Sequence, residues 1–162
     1  MEPIRTINIF YISLSGNTTN FIERLDGYIM KKYRYKVLYT NVRNIIKENP
    51  EDIFLITDPY FLFLPAYLEG GNGINNGFKE ILTTPLKKLV AYKNNATFCY
   101  GIVGSGNRNF NKQFCLTAYQ YSSQFNFPMI DEFELRGNDE DIKRIGNKLI
   151  TIINNNQLEV SK

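Results

Sequence analysis

The chain has no histidine and no tryptophan, and its two cysteines, Cys99 and Cys115, form neither a CxxC pair nor a disulfide framework. Without histidine there is no Ser-His or Cys-His nucleophile pair and no imidazole metal site. Any redox or group-transfer chemistry is then expected to be carried by a cofactor. No apolar run approaches the roughly 20 residues that span a bilayer. The opening residues Met1-Glu2-Pro3-Ile4-Arg5-Thr6 lack the basic and apolar regions of a signal peptide. With so little cysteine, a reducing cytoplasm is the expected compartment. Lys and Arg exceed Asp and Glu by 19 to 16, and the excess forms no basic stripe with interleaved aromatics, so nucleic acid and membrane are not expected partners.

What is present fits one domain over residues 1–162, with a core of ordinary hydrophobic content, 43%. Residues 6–12 read as a buried strand. From Thr19 to about Tyr33 the apolar positions Phe21, Ile22, Leu25 and Ile29 share a helical face. Val37–Val42 is a second strand candidate, and Arg43–Glu48 a helical turn before Pro50. Ile53–Ile56 is apolar but short. Tyr60–Leu64 reads as a strand buried on both faces, as in a parallel sheet. Residues 78–92 resume a helical or mixed pattern interrupted by Pro85. Ala96–Val103 reads as another buried strand, followed by a helix from about Lys112 to Phe125 and a last strand over Met129–Leu135. Asp139–Asn154 is the clearest helix, with Ile142, Ile145, Leu149, Ile152 and Ile153 at helical spacing and acidic residues at its start. Residues 155–162 read as a frayed tail. Strands alternating with helices in this way give a three-layer α/β sheet.

Three polar, glycine-bearing stretches leave the carboxyl ends of candidate strands, where ligands of open α/β sheets bind. The first is Ser13-Leu14-Ser15-Gly16-Asn17-Thr18. It leads from a strand into a helix whose N-terminus offers unpaired N–H groups and the positive end of its dipole, a natural phosphate cradle. Its plain alternative is a capped polar turn. The second spans residues 65–77 and holds Pro65, Ala66, Tyr67, Leu68, Glu69, Gly70 and Gly71. Such a loop allows close backbone approach to a planar ring, and its glycine peptides can turn a C=O or N–H toward a ring nitrogen. A flexible surface loop is the alternative. The third is Gly104-Ser105-Gly106-Asn107-Arg108-Asn109-Phe110. Here Asn107 and Asn109 offer amide groups to a heterocycle edge, and Phe110 a ring face. It too has a plain reading, as a connection with a core aromatic. The region Gly101–Gly106 has Walker spacing but continues Asn107-Arg108, and GxGxxG is absent, so a mononucleotide is favoured over a dinucleotide. Cys115 reads as a small buried residue.

With these stretches in place, the sequence resembles the flavodoxin-like proteins of the NrdI family, partners of class Ib ribonucleotide reductase, and most of all their streptococcal-type branch. The residues that carry the resemblance are Ser-Leu-Ser-Gly-Asn-Thr at 13–18, Pro-Ala-Tyr with the following glycines at 65–73, Gly-Ser-Gly-Asn-Arg-Asn-Phe at 104–110 and Phe-Glu-Leu-Arg-Gly at 133–137. The resemblance implies a flavodoxin-like, doubly wound five-stranded parallel sheet of order 2-1-3-4-5 with helices on both faces. It implies FMN as cofactor. Residues 13–18 would hold the phosphate, Pro65–Gly71 one side of the isoalloxazine and residues 104–110 the other, with Phe110 stacking and Cys115 closing the set. It also implies reduction of dioxygen to superoxide for assembly of the dimanganese-tyrosyl radical cofactor in the reductase small subunit, with a flavin-reducing partner upstream. A general flavodoxin-type electron carrier and a scaffold without flavin chemistry are the alternative functions. The sequence departs from the family pattern at Asn111, at Thr117-Ala118-Tyr119 and at Glu69, whose carboxylate would lower the potential of a nearby ring.

Overall fold

The computed structural model describes residues 5–13, 16–42, 53–65, 86–106 and 116–160. Five strands form a single sheet: β1 (Arg5–Tyr11), β2 (Tyr35–Asn41), β3 (Tyr60–Pro65), β4 (Cys99–Gly106) and β5 (Met129–Glu134). All their pairings are parallel and the spatial order is β2-β1-β3-β4-β5. Among the described residues, the sheet is accompanied by helices α1 (Asn17–Tyr33), α2 (Leu116–Phe125) and α3 (Asp139–Val160). Residues 86–91 are also helical. No helix among the described residues is long and apolar enough to cross a membrane.

The pleat sorts apolar residues into two cores, because successive strand side chains point to opposite faces. In β3, which is buried throughout, Phe61 and Phe63 pack toward α1 and α3, while Tyr60, Leu62 and Leu64 pack toward the face of Leu86, Leu89 and Val90. Phe21, Ile22, Leu25 and Ile29 of α1 lie in the first core, as their spacing predicts. So do Ile142, Ile145, Leu149 and Ile153 of α3. Ile152 is only half-buried there, and Ile150 takes the inward position instead.

Three elements differ from the sequence reading. First, α3 does not fray after Asn154 but continues to Val160. Second, Asn95–Phe98 is a 3₁₀ turn, and β4 begins at Cys99 rather than Ala96. The cause is Asn95, which is buried. Its Oδ1 accepts from the Ile56 amide at 2.8 Å, and its Nδ2 donates to the carbonyls of Phe54 at 3.0 Å and Leu89 at 2.8 Å. This hub replaces strand pairing for the segment before β4 and for residues 53–57, which form no strand. Third, Gly104, Ser105 and Gly106 belong to β4 itself. They pair with β3 through Leu64↔Gly104 and Pro65↔Ser105, and with β5 through Gly104↔Glu132, Ser105↔Phe133 and Gly106↔Glu134. A ladder on both sides outweighs the weak strand preference of glycine. The helical turn at Arg43–Glu48 and the start of the helix expected from Lys112 lie outside the described residues.

Candidate functional site at the carboxyl edge of the sheet

Because every pairing is parallel, all strands end on one edge, and the stems of the three candidate stretches emerge there. β1 leads through Ile12 and Ser13 to Gly16, where α1 begins. β3 ends at Pro65, beside Ser105. β4 ends at Gly106, beside Glu134. The described candidates Ser13, Gly16, Asn17, Thr18, Pro65, Gly104, Ser105 and Gly106 are therefore gathered at one edge. Leu14, Ser15, Ala66, Tyr67, Leu68, Glu69, Gly70, Gly71, Asn107, Asn109, Phe110 and Cys115 lie outside the described residues.

The start of α1 has an anion-binding form. Gly16 is the N-cap, in the left-handed conformation at φ 87°, and as a glycine it offers no side-chain cap. The first-turn amides of Asn17 and Thr18 have no intrahelical acceptor. The Thr19 amide donates weakly to Ser13 Oγ at 3.4 Å, across the turn. The Thr19 hydroxyl donates to the Tyr11 hydroxyl, also at 3.4 Å. Ser13 and Thr18 are buried while Gly16 is exposed, and a Cβ built on Gly16 would meet no atom of the described residues within 4 Å. The turn thus combines an exposed glycine with amides and small hydroxyls, the donor set that suits a phosphate. The first turn of α1 carries no acidic residue that would oppose an anion.

A fourth segment meets this edge and is absent from the candidate residues read from the sequence. After β5 the chain turns through Leu135, at φ 54°, and Gly137, at φ 67°. The Leu135 amide donates to the Gly106 carbonyl and the Gly137 amide to the Glu134 carbonyl, both at 2.8 Å. Arg136 Nε donates to Asn17 Oδ1 at 3.1 Å. Arg24 Nη2 donates to the carbonyls of Arg136 and Gly137. Between this turn and the start of α1 lies a cavity of about 450 Å³, lined by Asn17, Glu134–Asn138 and Asp141. No sequence signal joins Asn17 to Arg136, which are brought together by the packing of α1 and α3 on the same face of the sheet.

Comparison with known proteins agrees with this architecture. The family model described as NrdI flavodoxin-like matches residues 9–147. An NrdI-like protein of Streptococcus pneumoniae is 52% identical over 143 residues, covering 88% of this chain and 91% of the relative. One from Streptococcus pyogenes is 48% identical, covering 86% and 84%. The NrdI protein of Mycoplasmopsis pulmonis is 31% identical, covering 88% and 83%. Among solved structures, a short-chain flavodoxin associated with a non-canonical PDU bacterial microcompartment superposes with a TM-score of 0.62, at 16% identity, over 94% of this chain and 99% of that one. That likeness concerns the fold. By its sequence and its sheet order, this chain belongs to the NrdI flavodoxin-like family.

Proposed function

We propose that this chain is an FMN-binding redox protein of the cytoplasm. It supports class Ib ribonucleotide reductase by reducing dioxygen to superoxide for assembly of the dimanganese-tyrosyl radical cofactor of the small subunit. The observation that carries the proposal is the start of α1, with glycine at its N-cap, set at the carboxyl edge of a flavodoxin-like sheet in a chain of the NrdI family.

FMN would supply the redox chemistry, the one-electron reduction of dioxygen with electrons from a flavin-reducing partner. The protein's part is to bind and orient. The amides of Asn17 and Thr18, with the hydroxyls of Ser13, Ser15 and Thr18, would hold the phosphate, helped by the helix dipole. Leu14, Gly16 and Asn17 would complete that loop. Pro65, Ala66, Tyr67, Leu68, Glu69, Gly70 and Gly71 would line one side of the ring. Gly104, Ser105, Gly106, Asn107, Asn109, Phe110 and Cys115 would line the other. At the end of β4, Ser105 is fixed by its pairing with β3 and β5, and Gly106 by its pairing with β5. No acid–base side chain is required, which accords with the absence of histidine.

The test is a reconstitution. FMN-loaded protein is reduced without air, then mixed with oxygen and a manganese-loaded class Ib small subunit, and the tyrosyl radical is counted by electron paramagnetic resonance. Radical above a control lacking the protein is the expected result. No radical, while the reduced protein still passes electrons to a generic acceptor, would make it a general carrier of the flavodoxin type.

A further inference from the structure

We propose that Arg136 is a positioning residue for the phosphate, acting through Asn17. This rests on the FMN reading above. An amide side chain at the start of a helix can present either its oxygen or its nitrogen to a ligand, and against an anion the oxygen repels. Arg136 Nε donates to Asn17 Oδ1 at 3.1 Å. The guanidinium therefore occupies the acceptor end of the amide and reserves the Nδ2 donors for the anion. It also sets a permanent positive charge next to the first turn of α1.

The main chain that carries Arg136 is held from several sides. Its carbonyl and that of Gly137 accept from Arg24 Nη2, which ties the turn to α1. Leu135 and Gly137 both take left-handed backbone conformations, and Leu135 is held by its amide bond to the Gly106 carbonyl. On the other side, Asn138 and Asp141 cap α3 reciprocally. The Asn138 amide donates to Asp141 Oδ2 at 2.9 Å, and the Asp141 amide to Asn138 Oδ1 at 2.8 Å. Leucine in a left-handed conformation is costly, and such strain persists where surrounding contacts impose it. The outcome of these contacts is a guanidinium delivered to Asn17.

The experiment compares FMN with riboflavin, which lacks the phosphate, by fluorescence titration of the wild type, Arg136→Gln and Arg136→Lys at low and high salt. A role at the phosphate predicts that Arg136→Gln weakens FMN about three- to tenfold and leaves riboflavin unchanged, the range of one partly exposed charge-assisted hydrogen bond. Arg136→Lys, which keeps the charge without the planar fork, should fall between them, and the deficit of Arg136→Gln against wild type should shrink at high salt. An unchanged ratio of FMN to riboflavin affinity in Arg136→Gln overturns the proposal, as does an equal loss for both ligands. If Arg136→Gln does not fold, the same ratio in Arg136→Lys decides it: a ratio equal to wild type at low salt overturns the proposal. A wild type that takes up no FMN, or does not prefer it to riboflavin, overturns the FMN reading itself, a result distinguishable from failure of Arg136 alone.

Discussion

Replacing Asn95 by alanine tests the account of how β3 and β4 are brought into register. Asn95 is 1% exposed, and its side chain makes three hydrogen bonds of 2.8–3.0 Å to main-chain groups of Ile56, Phe54 and Leu89. Alanine leaves the Ile56 N–H and the Phe54 carbonyl without this partner, while the Leu89 carbonyl keeps its bond from the Tyr92 amide at 3.2 Å. An orphaned buried group costs about 1–3 kcal/mol, and water entering the vacated volume brings each loss toward the lower end, so the sum is about 2–3 kcal/mol. In a chain of this size that lowers Tm by roughly 4–12 °C. Asn95→Asp keeps the shape but turns two donors into acceptors facing carbonyls and buries a charge, so at neutral pH it should cost at least as much. Urea unfolding monitored by circular dichroism, with the m-value checked for constancy, measures both losses. Because Asn95 lies at the amino end of β4, opposite the candidate site, ligand affinity well below Tm should not change. A loss under about 1 kcal/mol in Asn95→Ala at unchanged m would refute the hub.

Gly137→Ala should cost about 2–4 kcal/mol: φ is 67°, and the added Cβ would lie 2.7 Å from the ring of Phe21, itself stacked on Phe133 at 3.8 Å. Gly16→Ala meets no atom of the described residues and should cost the backbone term, about 1–2 kcal/mol, so similar losses in the two variants by urea unfolding would contradict the crowding at Gly137. Burial pushes the Cys99 thiol up to about 12, outweighing a smaller lowering contribution from the Gly101 main chain. The folded chain then keeps a proton that the unfolded chain releases above about pH 8.5, so stability should fall by roughly 1–2 kcal/mol from pH 8 to pH 10, and Cys99→Ala should remove that part of the slope. At acid pH, burial raises the Asp131 carboxyl. The hydrogen bonds from Arg144, Lys148 and the Glu132 amide outweigh that and hold it below the ordinary range. Its contribution is present above the unfolded carboxyl value and lost as pH falls below about 4, and Asp131→Asn should flatten that limb of the unfolding curve.

The sheet was legible where local pattern and burial agree. The apolar face of α1 and the continuous apolar run of β3 each have one arrangement that hides them, and the structure adopts it. The boundaries of β4 were not legible. Its start depends on a side chain bonded to residues as much as 41 positions away, and its end on neighbours that pair Gly104–Gly106 despite poor propensity. The extension of α3 to Val160 crosses an asparagine run whose preference is weak, so no residue marks a stop. At the site, the described stems emerge at one sheet edge because parallel strands with alternating helices leave no other choice. The bond from Arg136 to Asn17 joins residues 119 apart in sequence and could not be read from either neighbourhood.

Phosphate-anchored FMN at the carboxyl edge of this sheet is tested by titrating the flavin-free chain with FMN and, separately, with riboflavin, following quenching of flavin fluorescence. One FMN per chain is expected, favoured over riboflavin by at least about tenfold, because each hydrogen bond to a charged phosphate contributes about 1.5–3 kcal/mol. No quenching, or equal affinity for the two flavins, would contradict it.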